Sequence, residues 1–235
     1  MIQFFAPLIE SDPVLPEEES GHCVKVLRKN VGDIIFVTDG AGSRFKCEIT
    51  EAHPRHVRLE ILEKESFSPH WGVRITLAVA PTKNADRMEW LLEKATEIGV
   101  DEIILIKCDR SERKIAKTDR MRKILISAMK QSLKTNLPVL HELTPISNFI
   151  EDAPEGLKFF GYCDSSTSRR LLTREIIPGQ PVTIMIGPEG DFSPNETEKA
   201  RKAGFTAVSF GESRMRTETA ALFALEAIHI VNQLS

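Results

Sequence analysis

The chain has 235 residues, 41% of them hydrophobic and 28% charged, with a formal net charge of −3. That length and apolar content supply one good core or two modest ones and exclude a disordered chain, while the small negative charge excludes wholesale coating of nucleic acid and makes local charge balance the informative quantity. The four cysteines, Cys23, Cys47, Cys108 and Cys163, form no C-x-x-C pair, so neither a zinc site nor a disulfide framework is expected and a reducing, cytoplasmic setting is.

From the amino terminus, Met1-Ile2-Gln3-Phe4-Phe5 lacks the basic start and long apolar core of an export signal. No later run approaches the ~20 apolar residues that cross a bilayer, so no membrane association is expected. Short β-type runs follow at 34–37, 45–49 and 56–61, separated by turn signals at about ten-residue spacing, which predicts a small barrel. Asp39-Gly40-Ala41-Gly42-Ser43 lies between two of them. Its glycines invite a phosphate-loop reading, but a strand follows where a helix should, so the segment reads as a hairpin turn.

At Ser66-Phe67-Ser68-Pro69-His70-Trp71-Gly72 the β pattern breaks, giving expected domains at 1–68 and 72–235. The second alternates strands with helices and reads as α/β. Its strands fall at 73–79, 102–107, 157–162, 181–186 and 205–210, compact apolar runs suited to a sheet covered on both faces. Met88, Leu91, Leu92, Ala95 and Ile98 repeat at helical spacing up to a stop at Gly99. Met121, Ile124, Leu125, Ala128, Met129 and Leu133 form a second apolar stripe, leaving Arg120, Arg122, Lys123 and Lys130 on the exposed side.

From Lys107 to Lys134 ten basic residues (Lys107, Arg110, Arg113, Lys114, Lys117, Arg120, Arg122, Lys123, Lys130 and Lys134) stand against three acids (Asp109, Glu112 and Asp119). Such a stretch is either a solvated helix face or a phosphate-binding strip.

Two loops follow apolar strands, where open α/β sheets bind ligands. In Ile186-Gly187-Pro188-Glu189-Gly190-Asp191-Phe192 the glycines permit close backbone approach, and Ser193-Pro194-Asn195-Glu196 then starts a helix with a capping box. Gly211-Glu212-Ser213-Arg214-Met215-Arg216-Thr217-Glu218-Thr219-Ala220 joins the last strand to a helix running from about 217 to 234. Its residues crowd a helix amino terminus, with unpaired N–H groups and a positive dipole end. A structural cap accounts for Thr217 alone but not for the neighbouring arginines.

Gly187-Pro188-Glu189-Gly190 followed by Arg216-Thr217-Glu218-Thr219-Ala220 resembles the paired signature loops of the RsmE family of SPOUT methyltransferases, which methylate uridine N3 in 16S ribosomal RNA. Lys83, Lys94, Glu97, Gly99-Val100, Gln131 and the amino-terminal stretch 22–28 agree with the same family, and the likeness covers essentially the whole chain. The sequence departs from the pattern at Lys134, where Arg is common shortly after Gln131, and at Asp191, where a second glycine often follows Gly190.

The resemblance implies a trefoil-knotted α/β domain behind a PUA-like β-barrel, a homodimer, S-adenosyl-L-methionine as cofactor, and ribosomal RNA or the small ribosomal subunit as partner. Carried over by position, Tyr162, Cys163, Ile186, Gly187, Pro188, Glu189, Gly190, Phe210, Gly211, Met215, Arg216 and Thr217 would hold the cofactor. RNA would meet Lys25 and Arg28 on the barrel and Lys83, Arg110, Arg113, Arg120, Lys123, Lys130, Gln131 and Lys134 beyond it. Uridine N3 becomes nucleophilic only as its proton leaves; Arg216 is expected to stabilise the developing imidate, and Glu218, or a water it positions, to take the proton. No metal is expected. The same fold acting on a ribose 2′-hydroxyl or another RNA position, and a non-catalytic RNA-binding assembly factor, are the competing readings.

Overall fold

The computed structural model describes residues 2–113, 115, 117–162 and 170–235. They form two compact units, Met1–His70 with Ile126–Leu137 and Trp71–Leu125 with Pro138–Ser235. No helix among the described residues is long and apolar enough to cross a membrane.

In the first unit, β1 (Gln3–Phe5), β2 (Val14–Leu15), β3 (Ile34–Thr38), β4 (Ser43–His53) and β5 (His56–Ser66) form one sheet in the order β1-β3-β4-β5-β2. A short helix, α1 (Glu17–Gly21), runs on into a π-helical turn at His22–Val26. Alternate residues of β3 and β4 point inward, so Ile35, Val37, Phe45, Cys47 and Ile49 join Phe4, Leu15 and Val57 in one core. The segment 39–43 is the expected hairpin turn, and the Asp39 carboxylate accepts bonds from Ala41 N (2.8 Å) and Ser43 N (3.0 Å).

The second unit holds seven parallel-paired strands: β6 (Ile75–Val79), β7 (Glu102–Lys107), β8 (Val139–Pro145), β9 (Leu157–Gly161), β10 (Arg170–Leu171), β11 (Val182–Ile186) and β12 (Thr206–Ser209). Their order is β10-β12-β9-β11-β6-β7-β8. Every residue of β6 and β11 is buried, as a central parallel strand requires. Two helices, α2 (Ala85–Ile98) and α7 (Thr217–Gln233), pack together, with α7 lying over β6 and β11. On the face carrying Ala78, Ile104, Phe160 and Met185, α4 (Ile146–Glu151) and α6 (Pro194–Lys202) complete the core. The remaining helices are α3 (Thr118–Gln131) and α5 (Leu172–Glu175).

Local signals translate directly into local structure. Asn84 caps α2 by accepting from Asp86 N, and Gly99 ends it at φ 123°, where a Cβ would fall 2.5 Å from the Trp71 ring. Ser193 and Glu196 form the reciprocal capping box at α6. By contrast β8 is absent from the sequence reading. It is the sheet's edge strand, with Leu140 its one deeply buried residue, so it lacks the continuous apolar run that marks the central strands.

A second difference concerns Lys130. Helical periodicity puts it on the exposed side of α3, but it is half-buried and its Nζ lies 2.5 Å from Oε1 of the buried Glu19. Residues 126–137 group with the first unit, so this part of α3 has a packed neighbour where the stripe alone implies water.

Candidate active site

Three adjacent parallel strands, β12, β9 and β11, end side by side. Beyond their carboxyl ends lies a cavity of about 660 Å³. Gly161 and Tyr162 line it at the end of β9, residues 186–191 after β11, and residues 208–217 with Ala220 after β12. Loops separated by some twenty residues thus share one cavity, at the carboxyl ends of the strands where open α/β sheets bind ligands.

Small residues let these loops close on one another. A Cβ on Gly161 would sit 2.9 Å from two atoms of the Phe210 ring, and one on Gly187 would sit 3.2 Å from the Phe192 ring. Gly211 adopts φ 101°, a conformation that an L side chain disfavours. Asp191 adopts φ 61°, and its Oδ1 accepts from Phe192 N at 2.8 Å. Aspartate tolerates the left-handed region because its short polar side chain can bond locally.

The loops are also bonded. Thr217 Oγ1 donates to the buried Gly187 carbonyl at 3.0 Å, tying the start of α7 to the loop after β11. This corrects the reading of Thr217 as a cap: the N-cap is Arg216, which makes no side-chain cap bond and leaves its guanidinium exposed at the cavity.

Of the expected cofactor residues, all but one line the cavity; Cys163 lies outside the described residues. Glu218 does not line it. Thr217 and Ala220, three apart, share the cavity side of α7, while Glu218 is turned about one hundred degrees away. Its carboxylate is buried, with Oε1 3.7 Å from Nε of Arg87 on α2. Sequence reasoning missed Gly161, Asp191, Val208, Ser209, Glu212, Ser213, Arg214 and Ala220. Glu212 to Arg214 were recoverable as members of the recognised loop; Gly161, a lone glycine at the end of an apolar strand, gave no signal.

The basic residues divide by partner. Arg120 pairs with Glu89, and Arg122 with both Asp119 and Glu142. Lys83 pairs with Glu112, while Arg113 donates to the Lys83 carbonyl and Arg110 to the Gly190 carbonyl. Lys25, Arg28, Lys123 and Gln131 are exposed and Lys134 half-buried; Arg28 adopts φ 54°. Within the strip inferred from the sequence, Arg110, Arg113, Arg120, Arg122 and Lys130 thus bond carboxylates or carbonyls of the chain itself.

Residues 69–229 match the family described as RNA methyltransferase domain, and residues 15–62 match RNA methyltransferase PUA domain. Ribosomal RNA small subunit methyltransferase E of Bacillus subtilis (strain 168) is 27% identical over 229 residues, covering 92% of this chain and 89% of that protein. The crystal structure of a probable rRNA-methyltransferase from Porphyromonas gingivalis superposes with a TM-score of 0.94 at 45% identity, covering 100% of this chain and 99% of the other. That of a Ribosomal RNA small subunit methyltransferase E from Neisseria gonorrhoeae bound to S-adenosyl methionine gives 0.81 at 27% identity, covering 98% and 97%.

Proposed function

This chain belongs to the RNA methyltransferase family, and we propose that it methylates N3 of a uridine in small-subunit ribosomal RNA with S-adenosylmethionine as donor, acting in the cytoplasm as a homodimer. The observation that carries this reading is the single cavity built from both signature loops and locked by the Thr217–Gly187 bond. Its volume lies in the range of roughly 300–1,000 Å³ typical of small-molecule sites. Its lining joins apolar surfaces suited to an adenine ring (Ile186, Val208, Phe210 and Met215) to glycine-bearing backbone that can approach a ligand closely. A protein 27% identical over nearly its whole length carries the same cofactor in its crystal structure.

When bound, S-adenosylmethionine supplies an electrophilic methyl group on its sulfonium. Residues 186–190, with Phe210, Gly211, Met215 and Thr217, would hold it. Arg216, at the positive end of α7, stabilises negative charge that spreads onto O2 and O4 of the uracil as the N3 proton leaves. Glu218 orients the first turn of α7 through Arg87; of the carboxylates that line the cavity, Glu189 and Asp191 already accept from Lys83 N and Phe192 N, and we assign acceptance of that proton to Glu212. Exposed Phe223 and Ile230 fall on one stripe of α7, which Leu234 continues just past its end, and offer an apolar face to a second copy. The trefoil knot implied by the resemblance, and RNA binding by a barrel domain at 1–68 ahead of a methyltransferase domain at 72–235, belong to the same proposal.

Incubation with small ribosomal subunits and S-adenosylmethionine, followed by digestion and mass spectrometry of the nucleosides, tests it. 3-Methyluridine is expected. A methylated ribose, or no modified nucleoside, would contradict the assignment. Glu212→Gln should slow single turnover more than Glu218→Gln; the reverse order would return the proton to Glu218.

A further inference from the structure

We infer that Arg110 is a positioning residue for the cofactor loop, and that the segment 109–113 braces the active-site cavity; the inference rests on the proposed cofactor reading. The loop 187–192 contains two glycines and a left-handed Asp191, so little in its own sequence fixes its conformation. Bonds from elsewhere supply that constraint. Arg110 Nη1 donates to the Gly190 carbonyl at 2.8 Å and reaches the Phe192 carbonyl at 3.5 Å. Gly190 packs so closely on this side chain that an added Cβ would lie 3.3 Å from Arg110 Cβ.

The neighbours of Arg110 reinforce the contact at both ends. Asp109 Oδ2 accepts from Ser193 Oγ at 2.6 Å, and Asp109 N donates to Glu196 Oε1 at 2.7 Å, anchoring the segment to the capping box that follows the loop. On the other side Arg113 Nη2 donates to the Lys83 carbonyl at 3.0 Å, and Lys83 N donates to Glu189 Oε1 at 3.2 Å. The Lys83 ammonium closes the ring by pairing with Glu112 at 2.8 Å. Loop 187–192 is therefore held directly by Arg110 and indirectly through Arg113 and Lys83.

In sequence this segment opens the basic stretch and looks like an RNA contact. Its guanidinium groups instead point donors at protein carbonyls, Arg110 through Nη1 and Arg113 through Nη2. Removal of Arg110 should lower cofactor affinity while leaving RNA affinity intact. Lysine keeps the charge but its side chain is one bond shorter, so it preserves a phosphate contact while its ammonium falls short of the Nη1 position that makes this brace.

The test compares wild type with Arg110→Ala and Arg110→Lys. Calorimetry reports S-adenosylhomocysteine affinity, amide hydrogen exchange reports residues 187–193, and RNA binding is measured against salt without cofactor. Both variants should bind S-adenosylhomocysteine at least about tenfold more weakly, the size expected for one lost hydrogen bond from a charged donor, and should exchange faster across 187–193. Melting temperature and the salt slope of RNA binding should not move. Unchanged exchange and unchanged S-adenosylhomocysteine affinity, with weaker RNA binding in Arg110→Ala alone, would make Arg110 an RNA contact and overturn the inference. Failure of the wild type to bind S-adenosylhomocysteine would instead reject the proposed function, and hydrogen exchange would still decide whether the brace exists.

Discussion

The cavity loops and the basic stretch on α3 carry similar densities of notable residues, yet they are built on opposite principles. In the cavity the determinants are absent side chains and one buried bond: Gly161 admits the Phe210 ring, Gly187 admits Phe192, and Thr217 joins the two loops. On α3 they are long cations whose heads meet carboxylates, as in Arg120–Glu89, Arg122–Glu142 and Lys130–Glu19. A close-packed site has no tolerance for an added atom, whereas an exposed ion pair loses little when one partner goes. Single substitutions should therefore act strongly on the cavity and weakly on the strip, Lys130 being the exception.

The sharpest break in that contrast is Gly161→Val. Its branched side chain would overlap the Phe210 ring, and overpacking of this kind costs about 1–3 kcal/mol, so S-adenosylhomocysteine affinity should fall at least about fivefold in calorimetry. Near-normal affinity would mean that Phe210 can leave its place freely and that the cavity is looser than its contacts imply. Next comes Thr217→Val, which keeps the shape of the side chain but leaves the buried Gly187 carbonyl without its partner. A loss of about 1–3 kcal/mol is expected, read as lower thermal stability together with weaker cofactor binding.

On the strip, Lys130→Ala should destabilise the protein by about 1–2 kcal/mol in urea unfolding, because it strands the buried Glu19 carboxylate. Arg120→Ala should cost less than about 1 kcal/mol, its pair with Glu89 being exposed on the arginine side. Equal effects at these two positions would erase the distinction between structural and surface cations.

The smallest effect at neutral pH belongs to the barrel thiols. Burial pushes Cys23 and Cys47 up to about 11 from an ordinary value of 9.0. Both thiols are neutral below pH 9 in either state; between 9 and 11 the unfolded chain loses protons that the folded barrel retains, so stability falls as pH rises. The stability difference between wild type and a Cys23→Ala/Cys47→Ala variant should hold constant below pH 9 and shift against the wild type above it. A difference that stays flat to pH 11 would show that the buried thiols ionise freely.

Much of this was legible in the sequence where the signal is local. The Gly99 stop, the Ser193–Glu196 capping box, the hairpin at 39–43 and the apolar runs of β6, β7, β9, β11 and β12 each depend on residues within a few positions of one another. So do the two signature loops. What the sequence concealed depends on distant partners or on fine angles. Lys130 meets Glu19 across 111 positions, β8 is polar because it lies at an edge, and Glu218 misses the cavity by one step of the α7 helix. The basic stretch meets the same limit: composition counts charges, but only the fold shows which of them, such as Arg120 and Arg122, pair with a carboxylate.

The account turns on one adenosyl pocket shared by the turns that follow β11 and β12. Calorimetric titration of the intact protein with S-adenosylhomocysteine measures it most directly. Saturable binding of one molecule per chain, weakened by Gly161→Val and Thr217→Val but not by Arg120→Ala, is the predicted result. Absence of saturable heat with wild-type protein, or equal weakening by all three variants, would contradict it.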